Sequence, residues 1–225
     1  ILSSLVGTGM SKRFLTSFDF LKRDWQVGTD ATAWTSCPKA KRILNQGGLI
    51  IFPTDTVYGL GCLSNNKKGL SRFAKIRDVK IELAPLSFLF QDIRELTNYV
   101  QHMNSTTFKL VKKLLPGPYA LIMNAAPKLP KPFHKRKTIG VRISSHVVLQ
   151  QLLPLLDAPL ITSSLHDPDE ILDYTTDPEV LFQQWESKID LMLSDGYGQN
   201  IPSTVLDLTE EPFQIIREGL GEVLL

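Results

Sequence analysis

Short apolar runs alternate with stretches of helical period along most of the chain. Leu49–Phe52 is an unbroken apolar run, the pattern of a strand buried on both faces, and Pro53 should stop it because proline cannot donate to a sheet ladder. Before it, from Pro38, Ala40, Ile43 and Leu44 share one helical face, and Gly47-Gly48 reads as the cap that ends that helix. After it, Leu70, Phe73, Ala74 and Arg77 recur at i, i+3, i+4, i+7, which predicts an amphipathic helix over 67–77 behind Asn65 or Asn66. Leu86–Phe90 reads as a strand, Ile93–Tyr99 as a short helix, and Phe108, Val111 and Leu115 as a longer helix stopped by Pro116-Gly117-Pro118. Tyr119–Met123 and Ile139–Ile143 are strands, Val147–Leu156 a helix, and Leu160–Ser163 another strand. Asp177-Pro178-Glu179 opens a helix with a capping acid, Pro in the first turn and an acid beside the helix dipole. Leu191–Leu193, Thr204–Leu208 and Phe213–Ile216 close the chain as strands. Helices and strands alternate without a long linker or repeat, so residues 37–225 are expected to form one α/β domain, a twisted mixed sheet flanked by helices.

Residues 1–36 carry less signal. The first acid is Asp19, and Ser, Thr, Lys12 and Arg13 precede it, which suits an organellar transit peptide; a natural start at Met10 suits it equally. The expectation there is a poorly ordered or loosely docked arm. The 225 residues are 43% hydrophobic and 21% charged, with a net charge of +2, an ordinary globular composition and too little charge to imply nucleic-acid binding by itself. No apolar run approaches membrane-spanning length. Cys37 and Cys62 form neither a disulfide framework nor a metal-ligand pair, so a reducing, cytoplasmic setting is expected.

Several chemistries lack their residues. The chain has no G-x-x-x-x-G-K-[ST], G-x-G-x-x-G, H-E-x-x-H or G-x-S-x-G pattern. His102, His134, His146 and His166 are scattered, and Asp167, Asp169 and Glu170 read as a solvated acidic turn before they read as a cation site. What remains is hydroxyls and cations at the ends of elements. Thr54, Asp55 and Thr56 crowd the carboxyl end of the first strong strand, and Gly59 and Gly61 then let the backbone turn and approach something closely. Lys75 and Arg77 end a helix, where they either favour its dipole or clamp a triphosphate. Lys128, Lys131, Lys135, Arg136 and Lys137 form an acid-free basic loop, either solvated or a phosphate or RNA contact surface. Arg142 sits inside a strand pattern and must find an anion or reach solvent; it is expected to wait unpaired for a carboxylate. Thr162, Ser163 and Ser164 end one strand in hydroxyls, Ser203-Thr204 begin another, and Arg217 ends the last.

Pro53–Gly61 resembles the opening signature of the YrdC/YciO family, and the likeness extends over roughly residues 38–222. Lys75-Ile76-Arg77 followed by Pro85-Leu86, Leu115–Pro118, Gly140–Ile143, Pro202–Asp207 and Ile216–Gly219 resemble further family motifs in the same order. The resemblance implies a single α/β domain whose strongly twisted sheet encloses a deep, basic, concave cleft. It implies L-threonylcarbamoyladenylate synthase chemistry, in which L-threonine, bicarbonate and ATP give threonylcarbamoyl-AMP and pyrophosphate for tRNA modification. Lys75 and Arg77 would then hold the ATP phosphates and carry the catalytic charge. Thr138, Ser164 and Arg217 would contact the nucleotide, while Thr56, Thr162, Arg142 and Ser203 would hold threonine. Mg²⁺ would come with ATP, with no protein-bound metal. The chain departs from the family's synthetases where Asp78 replaces a proline, Leu89 a histidine, and Ser164-Leu165-His166 a Ser-Ala-Asn, and these departures resemble the YciO branch. That branch keeps open a rival reading, a non-catalytic double-stranded RNA- or ribosome-binding module that uses the basic loop, with RNA or tRNA-modification proteins as partners.

Overall fold

Leu49 and Ile51 enter one apolar layer and Ile50 and Phe52 another, because successive strand side chains point to opposite faces. That is why the run carries no polar residue. The computed structural model describes residues 24–27, 30–165 and 176–223. In it, β1 (Asp24–Val27), β2 (Ile50–Phe52), β3 (Gly59–Leu63), β4 (Ser87–Leu89), β5 (Tyr119–Asn124), β6 (Thr138–Arg142), β7 (Leu160–Ser164), β8 (Leu191–Ser194), β9 (Thr204–Asp207) and β10 (Gln214–Arg217) form one mixed sheet. Their order is β1-β8-β2-β3-β7-β4-β6-β5-β9-β10.

Helices cover both faces. Cys37, Ala40 and Leu44 of α1 (Asp30–Asn45) and Val148, Leu149 and Leu152 of α5 (Val147–Leu152) pack with Ile50, Phe52 and Leu191. On the other face lie Leu70 and Phe73 of α2 (Lys67–Arg77), Leu96 of α3 (Ile93–Thr97), Val111 and Leu114 of α4 (Ser105–Leu114) and Leu181 of α6 (Pro178–Trp185). Asn66 caps α2 by accepting from the Gly69 amide, and Asp177 caps α6 by accepting from Glu179. Gly47, at φ +82°, ends α1 in the left-handed conformation that glycine adopts without a Cβ penalty. Among the described residues no helix is long and apolar enough to cross a membrane.

Three features differ from the sequence reading. Regular structure begins before residue 37: Asp24–Val27 pair in parallel with β8, and α1 opens at Asp30, with Pro38 inside it rather than in its first turn. The Gly59–Gly61 stretch is a central strand and not a turn, paired antiparallel with β2 and β7. The glycines do provide close approach, but to the Phe52 ring: a Cβ on Gly61 would lie 2.8 Å from it and 2.9 Å from the Ile161 carbonyl oxygen. Finally, the helix expected over 147–156 gives way to a 3-10 turn at Leu153–Leu155, as Pro154 removes a donor.

Candidate active site

Strand alternation builds a cavity of about 540 Å³ on one face of the sheet. Ala120 and Ile122 of β5, Thr138, Gly140 and Arg142 of β6, Thr162 and Ser164 of β7 and Val205 of β9 line it, each set spaced by two residues. Arg136 continues the β6 register one step back and lines the same cavity. Ser87, Ser163 and Ser203 add hydroxyls, Arg77 enters from the end of α2, Arg217 from β10, and residues 83–86 form a side wall. Among the described residues, four guanidinium groups and six hydroxyls therefore line the cavity, with no carboxylate.

Arg142 is only 5% exposed and is paired, contrary to the expectation that it waits alone. Its Nη2 donates to Asp55 Oδ1 at 3.0 Å and to Thr56 Oγ1 at 3.1 Å. The 53–58 loop between β2 and β3 delivers that acid to the end of β6, where Asp55 Oδ2 also accepts from the Ser145 amide at 3.1 Å. Thr54 Oγ1 shapes the loop by donating to the Val57 carbonyl at 2.7 Å and accepting from the Thr56 amide at 3.0 Å. Thr56 Oγ1 also lies 3.3 Å from Ser203 Oγ, so Arg142, Thr56 and Ser203 form one polar chain. Burial pushes the Arg142 pKa down, Asp55 pushes it back up, and the like charge of Arg217 lowers it again. Arg217 donates through Nε and Nη2 to the Ser203 carbonyl, at 3.3 and 2.8 Å.

Arg77, Arg136 and Arg217 have no carboxylate within ion-pair distance among the described residues; desolvation lowers the pKa of all three, and the attraction of Glu82 partly offsets this at Arg136. An arginine stays charged in proteins, so each lowering records a positive charge whose hydration is only partly replaced. The cavity thus presents two cations, Arg77 and Arg217, with no offsetting acid among the described residues, and a third, Arg136, partly offset by Glu82, the arrangement that attracts a polyanion.

The remaining candidates separate. Thr138, Thr162, Ser164, Arg142, Ser203, Arg77 and Arg217 converge on the cavity, with Thr56 directly behind them. Lys75 is exposed and lies outside the lining, because two positions along a helix point the side chain away from that of Arg77. The basic loop divides: Lys128, Lys131, Lys135 and Lys137 are exposed, whereas Arg136, expected with them as an RNA-contact candidate, is half-buried in the cavity wall. Its period-2 spacing from Arg142 was the available signal. Asp55, although read as part of a polar cluster, was not foreseen as the partner of Arg142. Leu89 packs with Ile50 and Phe52 and does not line the cavity. Asp78 takes φ 50°, which proline cannot adopt, so residues 79–86 leave α2 by a path closed to a proline at that position. His166, Asp167, Asp169 and Glu170 lie outside the described residues. Among the described residues no group of three His, Cys, Asp or Glu side chains is placed to hold a metal ion.

Comparison with known proteins gives a consistent picture. A Sua5/YciO/YrdC family model, described as telomere recombination, matches residues 42–219. An uncharacterised protein of Haemophilus influenzae is 37% identical over 185 residues, covering 81% of this chain and 88% of the relative. Escherichia coli YciO, also uncharacterised, is 34% identical over 188 residues, covering 82% of this chain and 89% of the relative. A Methanocaldococcus jannaschii protein, named provisionally as a threonylcarbamoyl-AMP synthase, is 30% identical over 183 residues, covering 80% and 83%. The crystal structure of E. coli YciO superposes with a TM-score of 0.78 over 89% of this chain and 97% of that one, at 30% identity. The structure of P. abyssi Sua5 complexed with L-threonine shares the fold at 23% identity, with a TM-score of 0.74 over 87% of this chain and 56% of that one.

Proposed function

The chain belongs to the Sua5/YciO/YrdC family, and from that premise we propose that it is an L-threonylcarbamoyladenylate synthase-like enzyme. The threonine amine and bicarbonate would join with loss of water to give the carbamate, and the carbamate with ATP would give pyrophosphate and threonylcarbamoyl-AMP, the activated intermediate for tRNA threonylcarbamoyladenosine. The observation that carries the reading is the cavity in which Arg77 and Arg217, with no carboxylate partner among the described residues, and Arg136 face the hydroxyl-bearing strand ends. The provisional name of the M. jannaschii relative supports the reaction class. L-threonine as substrate follows the ligand of the P. abyssi protein.

The chemistry asks the protein for position and charge, with no covalent nucleophile. An oxygen of the threonine carbamate attacks the α-phosphorus of ATP, and the bond to the β-phosphate oxygen breaks to release pyrophosphate. Arg77 and Arg217 hold the phosphates and neutralise charge that develops on the leaving group. Thr138 and Ser164 contact the nucleotide. Thr162, Ser203 and Thr56 orient threonine, and Arg142 meets its carboxylate while Asp55 stays on Nη2. Mg²⁺, held through the ATP phosphates, would add electrophilic assistance there.

The test is pyrophosphate release by purified protein. Release should require all three substrates and should fall at least tenfold in Arg217→Ala. Release no faster than the background without threonine refutes the synthase reading.

A further inference from the structure

The wall of the cavity formed by residues 79–86 runs from the end of α2 to β4, and one side chain ties its middle to the opposite wall. Its own amides bond locally, Leu83 and Ala84 to the Lys80 carbonyl and Leu86 to the Ala84 carbonyl. Val79 bonds back to Ala74 at the end of α2. The β4–β6 ladder, with Ser87 opposite Gly140, holds the strap's far end; between its ends, the side-chain hydrogen bonds that reach it come from Arg136, whose Nη2 donates to the Ile81 carbonyl at 2.9 Å and the Ala84 carbonyl at 2.6 Å. The two protons of that nitrogen are thereby used, one per carbonyl. The Phe133 ring, fully buried, supports the guanidinium from 5.7 Å.

The strap has two sides. Leu83, Ala84, Pro85 and Leu86 face the cavity, while Lys80, Ile81 and Glu82 line a second hollow of about 430 Å³ against α2. Ile81, Ala84 and Leu86 are buried, but Leu83 at the mouth is 79% exposed, so apolar packing anchors the strap at points and leaves its tip free. A charged donor to two main-chain carbonyls fixes what packing does not.

We propose that Arg136 is a positioning residue: it holds the 80–86 strap as the cavity wall beside Arg77 and so sets the shape of the phosphate-binding end. Its consequence for turnover rests on the synthase reading above; the tether itself does not.

Amide hydrogen exchange on the unliganded protein tests the tether, because exchange reports local opening. In Arg136→Ala, amides of 80–86 should exchange at least about tenfold faster, while those of β5 and β6 away from residue 136 keep their wild-type rates. Arg136→Lys keeps the charge but replaces the planar fork with a shorter point donor, and it should show the same loosening; it also serves if the alanine variant does not fold. If the wild type is active, KM for ATP should rise about tenfold or more in Arg136→Lys with a smaller change in kcat. Unchanged strap exchange in the variants overturns the proposal. An inactive wild type removes the synthase reading and leaves the tether to be judged by exchange alone.

Discussion

Arg142→Ala should destabilise the protein, and the geometry around the guanidinium sets the size. The Arg142 and Asp55 side chains are 6% and 9% exposed, and their ion pair spans 3.0 Å. Removing the arginine leaves Asp55 as a buried carboxylate supported mainly by the Ser145 amide and hydroxyl. Breaking a buried pair by deleting one partner costs about 3 to 5 kcal/mol. In a chain of 225 residues each kcal/mol lowers Tm by about 2 to 4 °C, so the expected fall is about 6 to 20 °C. Replacing both partners, as in Asp55→Ala with Arg142→Met, removes both charges and should recover much of the loss. Thermal melts and urea titrations of the wild type, Asp55→Ala, Arg142→Met and the double variant form a cycle, with an expected coupling above about 1 kcal/mol. A Tm for Arg142→Ala within about 3 °C of the wild type, below the range that deletion implies, would show that the pair contributes little and that Arg142 is free for ligand alone.

Two further outcomes follow from local geometry. Gly61→Ala should cost about 1 to 3 kcal/mol in urea unfolding, since the new Cβ meets the Phe52 ring at 2.8 Å and the rigid Ile161 carbonyl oxygen at 2.9 Å; a loss under about 0.5 kcal/mol contradicts the packing. His146 caps α5 by accepting from the Val148 amide through Nδ1, while its Nε2 lies 3.5 Å from Asp195 Oδ2. Burial lowers its pKa, and the attraction of Asp195 and Asp55 only partly offsets this. The unfolded chain then binds more protons near pH 6, so this group makes stability rise with pH up to about 6.5 and fall on acidification. His146→Asn keeps a capping acceptor and should remove that contribution; wild-type stability that gains more on acidification than the variant's would show instead a protonated His146 paired with Asp195.

The elements were legible where one face or one period dominated. Helix α2 was read to its residue bounds from Leu70, Phe73 and Ala74, and the strands over 119–124, 160–164 and 204–207 from short apolar runs bounded by Pro, Gly or Ser. Strand β3 was hidden because Gly59 and Gly61 carry turn chemistry in sequence; the Phe52 ring on β2 and the Ile161 and Thr162 atoms on β7 explain glycine there. At the site, hydroxyls and cations at strand ends identified most of the cavity, since one face of a strand delivers residues i and i+2 together. The Asp55–Arg142 pair spans 87 positions, and nothing local couples the two residues. Arg136 was masked by its neighbours: among four exposed lysines its role depends on the strand register that starts two residues later.

Calorimetric titration of ATP and of adenosine into the purified protein at low salt tests the central claim, that the arginines lining this cavity, Arg77 and Arg217 above all, make it a polyanion site. ATP should bind at least tenfold more tightly than adenosine. Arg77→Ala and Arg217→Ala should each lose about 2 kcal/mol or more, roughly thirtyfold in Kd, as expected when a charged partner of a bound anion is removed. No measurable heat with ATP, or equal affinity for ATP and adenosine in all three proteins, would contradict the account.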